Sequence, residues 1–264
     1  MIDFKDKERY GFEDLLRIME ILRGENGCPW DREQTHKSIR RNFIEEVYEA
    51  CEAIDNDDST LLCEELGDVL LQVVFHAHMA RCEGAFDFDD VCDGICKKLI
   101  LRHPHIFADT QVSGSAQVLE NWEEIKKKEK GQKSTAQAMD QVAKSLPALI
   151  YAEKIQKKAR KVGFDWPDVH GALDKVREET DELAQALATG QGVEEELGDL
   201  LFAAVNVARF ADVDPEKALA DAAQKFARRF ARLEQAAGDK LPGMTLAQMD
   251  ELWDRVKQDE KERR

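Results

Sequence analysis

The chain has 264 residues, 43% of them hydrophobic, with only 6 Pro and 15 Gly, which is enough apolar material for one large core or two ordinary ones. Its 54 acidic residues outnumber 38 basic ones, so the formal net charge is -16. These values exclude disorder as the default and argue against binding to nucleic acid or an anionic membrane, because both carry negative charge.

The start of the chain, MIDFKDKERYGFEDLL, carries acids where a signal peptide needs an uninterrupted apolar stretch. The sequence also contains no apolar run of 18 or more residues, the length that favours a membrane-spanning helix. We therefore expect a soluble, cytoplasmic protein. All six cysteines lie within the first 96 residues and form no CxxC pair, so we expect reduced thiols without a disulfide framework or a zinc motif.

One carboxylate pattern, EExxE followed by ExxD, occurs twice in the chain. Acidic side chains three or four residues apart share one face of a helix, so each copy directs acids from two successive helices toward a common point. Such a cluster repels itself unless a cation lies within it, and carboxylate oxygens favour Mg or Mn over iron or zinc. The two copies are Glu45, Glu46, Glu49, Glu65 and Asp68, and Glu178, Glu179, Glu182, Glu196 and Asp199.

The residues between and after the acids predict helices joined by short turns. Polar turns separate the two acidic motifs in each copy, at 56–59 and at 189–192. Gly67 and Gly198 lie inside the ExxD motifs, where a helical glycine costs about 1 kcal/mol relative to alanine, so we expect something to pack closely against them. Apolar side chains at helical spacing predict a buried face on the helix of the first copy, namely Leu66, Val69, Leu70, Val73, Val74 and Ala77.

The repeat extends beyond the acids. Lys98 and Arg102 correspond to Lys225 and Arg229, and the Trp122–Lys126 pair corresponds to Trp253 and Lys257. The chain is therefore expected to be a tandem duplication of an all-α unit, with domains 1–132 and 133–264 and a boundary in the polar run 126–140. Strand alternation is not evident, and each unit should contain four or five helices in a bundle.

Local signals support several helix starts. Asp214-Pro215-Glu216 has the form of an N-cap, a first-turn proline and a first-turn acid. Thr245 and Gln248 have the spacing of a capping box. Trp30 and Trp166 follow glycines at corresponding places in the two copies, and we expect both to fill the core at helix starts.

Three interpretations of the acids stay open at this point. A single EExxE is usually a solvated helix face, but the repetition and the neighbouring apolar stripe favour metal binding. A ferritin-like di-iron centre requires Glu-x-x-His on two helices, whereas His76 and His78 lie two residues apart on different sides of a helix. A non-enzymatic helical dimer that binds nucleotides or a protein partner is the third interpretation.

Six segments together resemble the MazG-type nucleoside triphosphate pyrophosphohydrolases in their two-domain bacterial form: GCPWDREQTHKSI, EEVYEA, ELGDVLLQVVFHAHMA, RHPHIFAD, SLPALIYAEKIQKKARKVGFDW and EELGDLLF. The resemblance implies tandem helical domains of the all-α NTP pyrophosphatase fold, assembled as an intertwined homodimer. It also implies Mg-dependent conversion of a nucleoside triphosphate and water to a monophosphate and pyrophosphate, with Mn as a substitute. A house-cleaning role in the nucleotide pool with a broad base range would follow.

The resemblance also assigns roles to residues. It implies that the metal ligands are Glu179, Glu182, Glu196 and Asp199, with N-terminal counterparts Glu46, Glu49, Glu65 and Asp68. Glu178, like Glu45, would support the ligands or orient the attacking water. Substrate phosphates would contact the last helices, through Lys225, Arg228, Arg229 and Lys257, beside the aromatic Trp253. Leu101 stands where the second copy has Arg228, so the C-terminal copy is expected to be the main catalytic one.

Overall fold

The computed structural model describes residues 4–132 and 134–262, and this part of the chain contains thirteen α-helices, one 3-10 helix and no strand. Contacts divide the chain into unit 1, residues 1–128, and unit 2, residues 129–264. The division falls within the polar run 126–140. The prediction of tandem all-α units is confirmed.

Unit 1 is built from five helices of twelve or more residues and two short ones. The third and fourth helices form an antiparallel hairpin that carries the first acidic pattern, and the first helix packs against the fourth. In chain order they are α1 (Phe12–Arg23), α2 (Pro29–Glu33), α3 (Arg40–Asp55), α4 (Ser59–Cys82), α5 (Phe88–Arg102), α6 (Pro104–Phe107) and α7 (Ser115–Glu129).

Unit 2 repeats this plan after one short helix. Its hairpin carries the second acidic pattern and is the most extensive helix pair of the unit, while the helix before it packs on the second arm of the hairpin. The helices are α8 (Thr135–Asp140), α9 (Ala148–Arg160), α10 (Val169–Thr189), α11 (Val193–Phe210), α12 (Pro215–Ala237) and α13 (Leu246–Glu262), with a 3-10 helix (Gly238–Gly243) after α12.

The core of unit 1 lies between α1 and the second half of α4. Met19 of α1 and Val74 of α4 are each only 1% exposed, and Phe75 packs beside them. The predicted buried face of α4 is therefore wrong in its first half, because Leu66 is 54% exposed and Leu70 37% exposed. Helical periodicity identifies an apolar stripe but does not show which part of it a neighbouring helix covers.

Buried positions of unit 2 are mostly small. Ala172 of α10, Ala203 of α11 and Ala152 of α9 are buried, as is Val205 of α11. Alanine at a helix contact lets the two backbones approach closely, which suits the long hairpin of α10 and α11. This close approach brings side chains of the two helices within reach of each other along their acidic faces.

Different residues form the hairpin turns of the two units. Asp58 caps α4 by accepting bonds from the backbone N–H groups of Thr60 and Leu61 at 3.0 Å each. In unit 2, Gly190 and Gly192 have φ of 71° and 74°, a left-handed conformation that glycine adopts without strain.

The predicted cap of α12 is confirmed, since Asp214 accepts from Glu216 N–H at 2.9 Å. The Thr245–Gln248 capping box is confirmed as well.

Two expectations about packing were wrong. Trp30 is 58% exposed and Trp166 is 37% exposed, so neither is a core residue. A Cβ added at Gly67 or Gly198 would meet nothing within 4 Å among the described residues, so neither glycine accommodates a close neighbour in the single chain.

None of the described helices combines the length and the apolar composition needed to cross a membrane.

Candidate functional site

Three acids of unit 2 meet between α10 and α11. One carboxylate oxygen from each of Glu179, Glu196 and Asp199 lies within 4.8 Å of the others. The ExxD spacing places Glu196 and Asp199 one turn apart on α11, facing Glu179 across the hairpin. Glu179 is only 3% exposed, although an isolated buried carboxylate is strongly disfavoured. The arrangement therefore requires a positive partner.

Part of that positive charge comes from a lysine one turn earlier on α10. Lys175 Nζ lies 2.8 Å from Glu178 Oε1 and 2.5 Å from Glu179 Oε1. These two contacts raise the pKa of Lys175, with the Glu178 bond as the larger cause. The second oxygen of Glu179, Oε2, is buried and has no hydrogen-bond partner among the described residues. It is available to a further cation.

Glu182, the fourth expected ligand, is not one of the three acids that meet within 4.8 Å. It is exposed, and its pKa is raised first by partial desolvation and then by repulsion from Glu179, with Glu196 adding to the effect. Part of this rise in the Glu182 pKa therefore comes from negative charges that lie near one another. All four acids assigned by resemblance to the metal therefore form one electrostatic group: oxygens of three lie within 4.8 Å of one another, and Glu182 is influenced by Glu179 and Glu196.

Unit 1 builds a similar cluster from α3 and α4. Oxygens of Glu46, Glu49 and Glu65 lie within 4.8 Å of one another. The pKa of Glu46 is raised by desolvation and next by Asp68, and that of Glu65 by desolvation and next by Glu49. The fourth expected acid, Asp68, thus belongs to the same electrostatic group. Nothing like Lys175 stands one turn before Glu46, where the chain has Asn42.

The acids expected to assist the ligands are both exposed and paired with neighbours on their own helix. Glu178 binds Lys175, as described, while Glu45 accepts from Arg41 Nε at 2.8 Å. Only Glu178 shares its partner with a cluster acid. The two copies therefore differ in the ion pairs of the first two glutamates of EExxE: Lys175 contacts both in unit 2, whereas Arg41 contacts Glu45 in unit 1.

The basic residues expected to bind phosphate lie on α12 and α13, which pack against each other. Arg229 donates from Nε to Glu260 Oε2 at 2.8 Å, and Lys257 Nζ lies 2.6 Å from Asp254. Lys225 and Arg228 are exposed on α12.

Trp253 of α13 is half-buried, with its ring centroid 5.2 Å from that of Phe226 on α12. Because α12 also contacts α11, the basic helix adjoins the helix that carries Glu196 and Asp199.

The corresponding surface of unit 1 is arranged differently. The cationic groups of Arg102 and Lys126 both lie over the Trp122 ring, at 5.1 and 4.8 Å from its centroid, which is the geometry of a cation–π contact. Leu101 is 54% exposed at the place that corresponds to Arg228. The structure therefore keeps the sequence asymmetry between the two copies.

Several polar residues that the sequence did not single out are built into unit 2. Arg209 of α11 is buried and makes two bonds to Asp165, at 2.9 and 2.5 Å. It also donates from Nε to Asn206 Oδ1 at 3.0 Å. A signal for this pair was present, since a lone arginine within an apolar helix needs an acid, but its partner lies 44 residues away. Lys175 had a local signal, being four residues before Glu179.

The histidines lie outside both acidic clusters. His36 and His76 stack on each other with their Nδ1 atoms 2.7 Å apart, and His78 lies 3.6 Å from the Cys82 sulfur. Burial and the neighbouring His36 lower the pKa of His76. The His-free clusters suit a hard cation with oxygen ligands and do not match a di-iron centre.

The chain matches the family model described as the MazG nucleotide pyrophosphohydrolase domain in two segments, residues 34–107 and 169–233. It is 48% identical over 254 residues to a nucleoside triphosphate pyrophosphohydrolase of Escherichia coli strain K12, covering 93% of this chain and 97% of that protein.

A second relative is the nucleoside triphosphate pyrophosphohydrolase/pyrophosphatase MazG of Thermotoga maritima, 46% identical over 93% of this chain and 95% of its own length. The uncharacterized protein YabN of Bacillus subtilis is 48% identical over 95% of this chain, which spans 52% of that protein. The two matched segments each enclose one acidic hairpin. The chain belongs to the MazG nucleotide pyrophosphohydrolase family.

Proposed function

We propose that the acidic cluster of unit 2 hydrolyses nucleoside triphosphates to the monophosphate and pyrophosphate with the help of Mg²⁺. One observation carries this proposal: three carboxylates from α10 and α11 come within 4.8 Å of one another although Glu179 is buried. Acids gathered in this way favour a divalent cation over an uncharged ligand. Family membership supplies the substrate class.

The residues present fit a magnesium ion. The unpartnered Oε2 of Glu179 is a buried acceptor without a donor, and Glu182, Glu196 and Asp199 add further carboxylate oxygens. Mg²⁺ prefers oxygen ligands and retains water, and we propose Mn²⁺ as its substitute. When bound, the ion supplies charge neutralisation for phosphate oxygens and lowers the pKa of a coordinated water.

The remaining groups have roles that follow from their charge. Lys225, Arg228, Arg229 and Lys257 bind and neutralise the polyphosphate, with Arg providing a planar pair of donors and Lys a point charge. Glu178 orients the attacking water and accepts its proton, while Lys175 holds that carboxylate in place. Positioning and charge compensation are the main sources of rate enhancement in phosphoryl transfer.

We further propose that two copies of the chain assemble as a homodimer. Support comes from apolar side chains that unit 2 leaves exposed, on α11 beside the open Gly198 and on α12: Leu197, Leu201, Phe226 and Phe230. A second copy would cover these faces and exclude water from the site. A cytoplasmic house-cleaning role with a broad base range completes the proposal, on the strength of the family resemblance.

Replacing a cluster acid by its amide tests the site. Glu196→Gln and Asp199→Asn each keep the side-chain shape but remove the charge that holds the cation. We expect kcat for pyrophosphate release to fall at least about 100-fold, the usual cost of losing a group that stabilises transition-state charge. Pyrophosphate and orthophosphate are measured after incubation with a panel of NTPs and Mg²⁺.

Glu195→Gln is the matched control, because Glu195 is an exposed acid on the same helix and outside the cluster. Its activity should equal that of the wild type. If the Glu196 and Asp199 variants retain full pyrophosphate release, the cluster is not the site. Release of orthophosphate alone would assign a different cleavage.

Binding without turnover is a second candidate function, for unit 1 only. The specific observation is its intact acidic cluster combined with Leu101 in place of an arginine and with Arg102 stacked on Trp122. Cation binding is expected to persist there, but the charge that assists cleavage is reduced.

A further inference from the structure

Two histidines of unit 1 join the segment between α2 and α3 to the long helix α4. His36 lies in this segment, residues 34–39, and His76 lies on α4. Their Nδ1 atoms are 2.7 Å apart and their rings are nearly parallel, with an angle of 7° between the planes. The distance is that of a hydrogen bond, so the contact ties a connecting segment to α4.

The chemistry of two facing Nδ1 atoms limits how many protons the pair can hold. A ring nitrogen of a neutral histidine either carries a hydrogen and donates or is bare and accepts, whereas both nitrogens of a charged histidine donate. The contact therefore needs one protonated and one bare Nδ1. It persists when both rings are neutral and when one is charged. Two charged rings would oppose two hydrogens and two like charges.

Among the described residues, one acid faces the pair. Glu83, the residue that follows α4, has its Oε2 3.8 Å from His36 Nε2. The side chains of Glu83 and His36 are 65% and 39% exposed, so solvent screens this contact. On the α3 side the neighbour is uncharged, since the Phe43 ring centroid lies 5.7 Å from that of His76. Glu83 therefore compensates a single positive charge on the pair.

Basic groups also lie on the elements around the pair. Arg23 of α1 donates from both terminal nitrogens to the Gln34 carbonyl at 3.4 Å, which holds the start of the segment independently of the histidines. Lys37 and Arg40 are exposed and lie close to His36 along the chain. A second positive charge on the pair would therefore meet the charge of the facing ring first and basic neighbours beyond it.

The pKa of His76 is consistent with this arrangement. Burial lowers this pKa from its ordinary value of 6.5, and the facing His36 lowers it further. Two groups this close titrate as a pair, in two steps that belong to both rings. The contact accommodates the first proton, and the second proton breaks it.

The segment held by the pair leads directly into α3. Ile39, the residue before α3, is 2% exposed and belongs to the core of unit 1. Ser38 bonds within the segment, donating from Oγ to Gln34 Oε1 at 2.7 Å. His36 is thus the side chain that ties the middle of the segment to α4.

We propose that His36 and His76 form a pH-operated latch, which holds residues 34–39 on α4 while the pair carries one positive charge or none and opens when both rings are charged. Opening frees the connection that leads into α3, the helix that carries two acids of the unit 1 cluster. The latch belongs to unit 1, because Val207 stands at the position of His76 by the offset of 131 that relates Glu65 to Glu196.

Hydrogen exchange of the backbone amides of residues 34–39, measured on the full chain at pH 7.5 and 5.5, tests the latch. The wild type is compared with His36→Ala at the same pH, which cancels the intrinsic pH dependence of exchange. We expect the wild type to protect the segment about fivefold more than the variant at pH 7.5, the effect of one hydrogen bond. At pH 5.5 the ratio should fall below about twofold, since a group with a lowered folded pKa stabilises the closed form above its ordinary pKa and loses this contribution as pH falls.

The imidazole resonances give a second readout. The pKa of His76, followed by NMR, should be higher in His36→Ala than in the wild type, because the facing charge is gone. His170→Ala is the matched control, since His170 is an exposed histidine of unit 2, and it should change neither measurement. The latch is overturned if the protection ratio is the same at both pH values, or if His76 titrates identically with and without His36.

Discussion

Two buried charges in unit 2, Glu179 and Arg209, show how single residues shape the site. Glu179 is paired with Lys175 on its own helix, and Arg209 with Asp165 across the unit. A buried charge is tolerated when a partner compensates it and is costly when that partner is removed. The first pair holds an acid for a cation, and the second holds the segment that bears Trp166.

The Asp165–Arg209 pair leads to a prediction about stability and pH. Hydrogen bonding to Arg209 lowers the pKa of Asp165 below its ordinary value of 3.8. Asp165→Asn leaves Arg209 buried without its counter-charge and should reduce the free energy of unfolding at pH 7 by about 3 kcal/mol. Because the folded pKa is the lower one, this contribution is complete above pH 3.8 and is lost as pH falls through the folded pKa.

Urea denaturation of the wild type and the variant at a series of pH values measures the effect. The two should differ at pH 5–7 and converge in acid. Asp181→Asn, at an exposed position of α10, should match the wild type throughout. A stability difference that stays constant down to pH 3 would show that the ionised pair is not its source.

At the scale of a helix, α10 combines a packing position at its start with the acidic face further along. Gly171 is required by Trp166, whose Cδ1 would lie 2.3 Å and Cβ 2.9 Å from an added methyl group. In Gly171→Ala the whole Trp166 side chain, including its Cβ, would therefore have to move. We expect this change to destabilise the protein by about 1–3 kcal/mol, as overpacking usually does. Thermal unfolding measures this change.

Gly94→Ala is the matched comparison for that substitution. Gly94 lies inside α5, and an added Cβ there meets nothing within 4 Å among the described residues. It should be neutral or stabilise the helix by up to about 1 kcal/mol. Equal effects of the two alanines would mean that Trp166 does not depend on Gly171.

Helices and caps were predictable because their signals are local. The Asp214 cap and the Thr245–Gln248 box depend on residues within one turn, and the structure confirms both. The acids of each hairpin were also predictable as neighbours, since spacing sets the face and a short turn sets the partner helix. The burial of individual side chains was not predictable. The exposure of Leu66 and Trp30 depends on which helices lie opposite them, and sequence periodicity does not contain that information.

The cavity of unit 2, about 550 Å³ between α9, the 161–168 segment and α11, could not be predicted for a similar reason. Gln156, Asp165 and Asn206 come from three separate segments, and each has an ordinary local sequence. Their common feature is unmet or cross-paired hydrogen-bonding capacity, which appears only after α9 and α11 are packed. Small residues such as Ala159 line the cavity, and their short side chains leave its space unfilled.

For the molecule as a whole, the duplication has produced two units with the same hairpin and different surroundings. Both keep three acids within 4.8 Å, but Lys175 and Arg228 have counterparts Asn42 and Leu101 in unit 1. We therefore expect unit 2 to perform most of the catalysis and unit 1 to bind cation or nucleotide with less turnover.

The most direct test compares pyrophosphate release by Glu65→Gln and Glu196→Gln, each in the full chain with saturating NTP and Mg²⁺. The two changes remove equivalent carboxylates, one from each cluster, so their ratio reports which unit carries the reaction. We predict that Glu196→Gln lowers kcat at least about 100-fold, while Glu65→Gln retains more than about half of the activity. Equal losses in the two variants, or a larger loss in Glu65→Gln, would contradict the assignment of catalysis to unit 2.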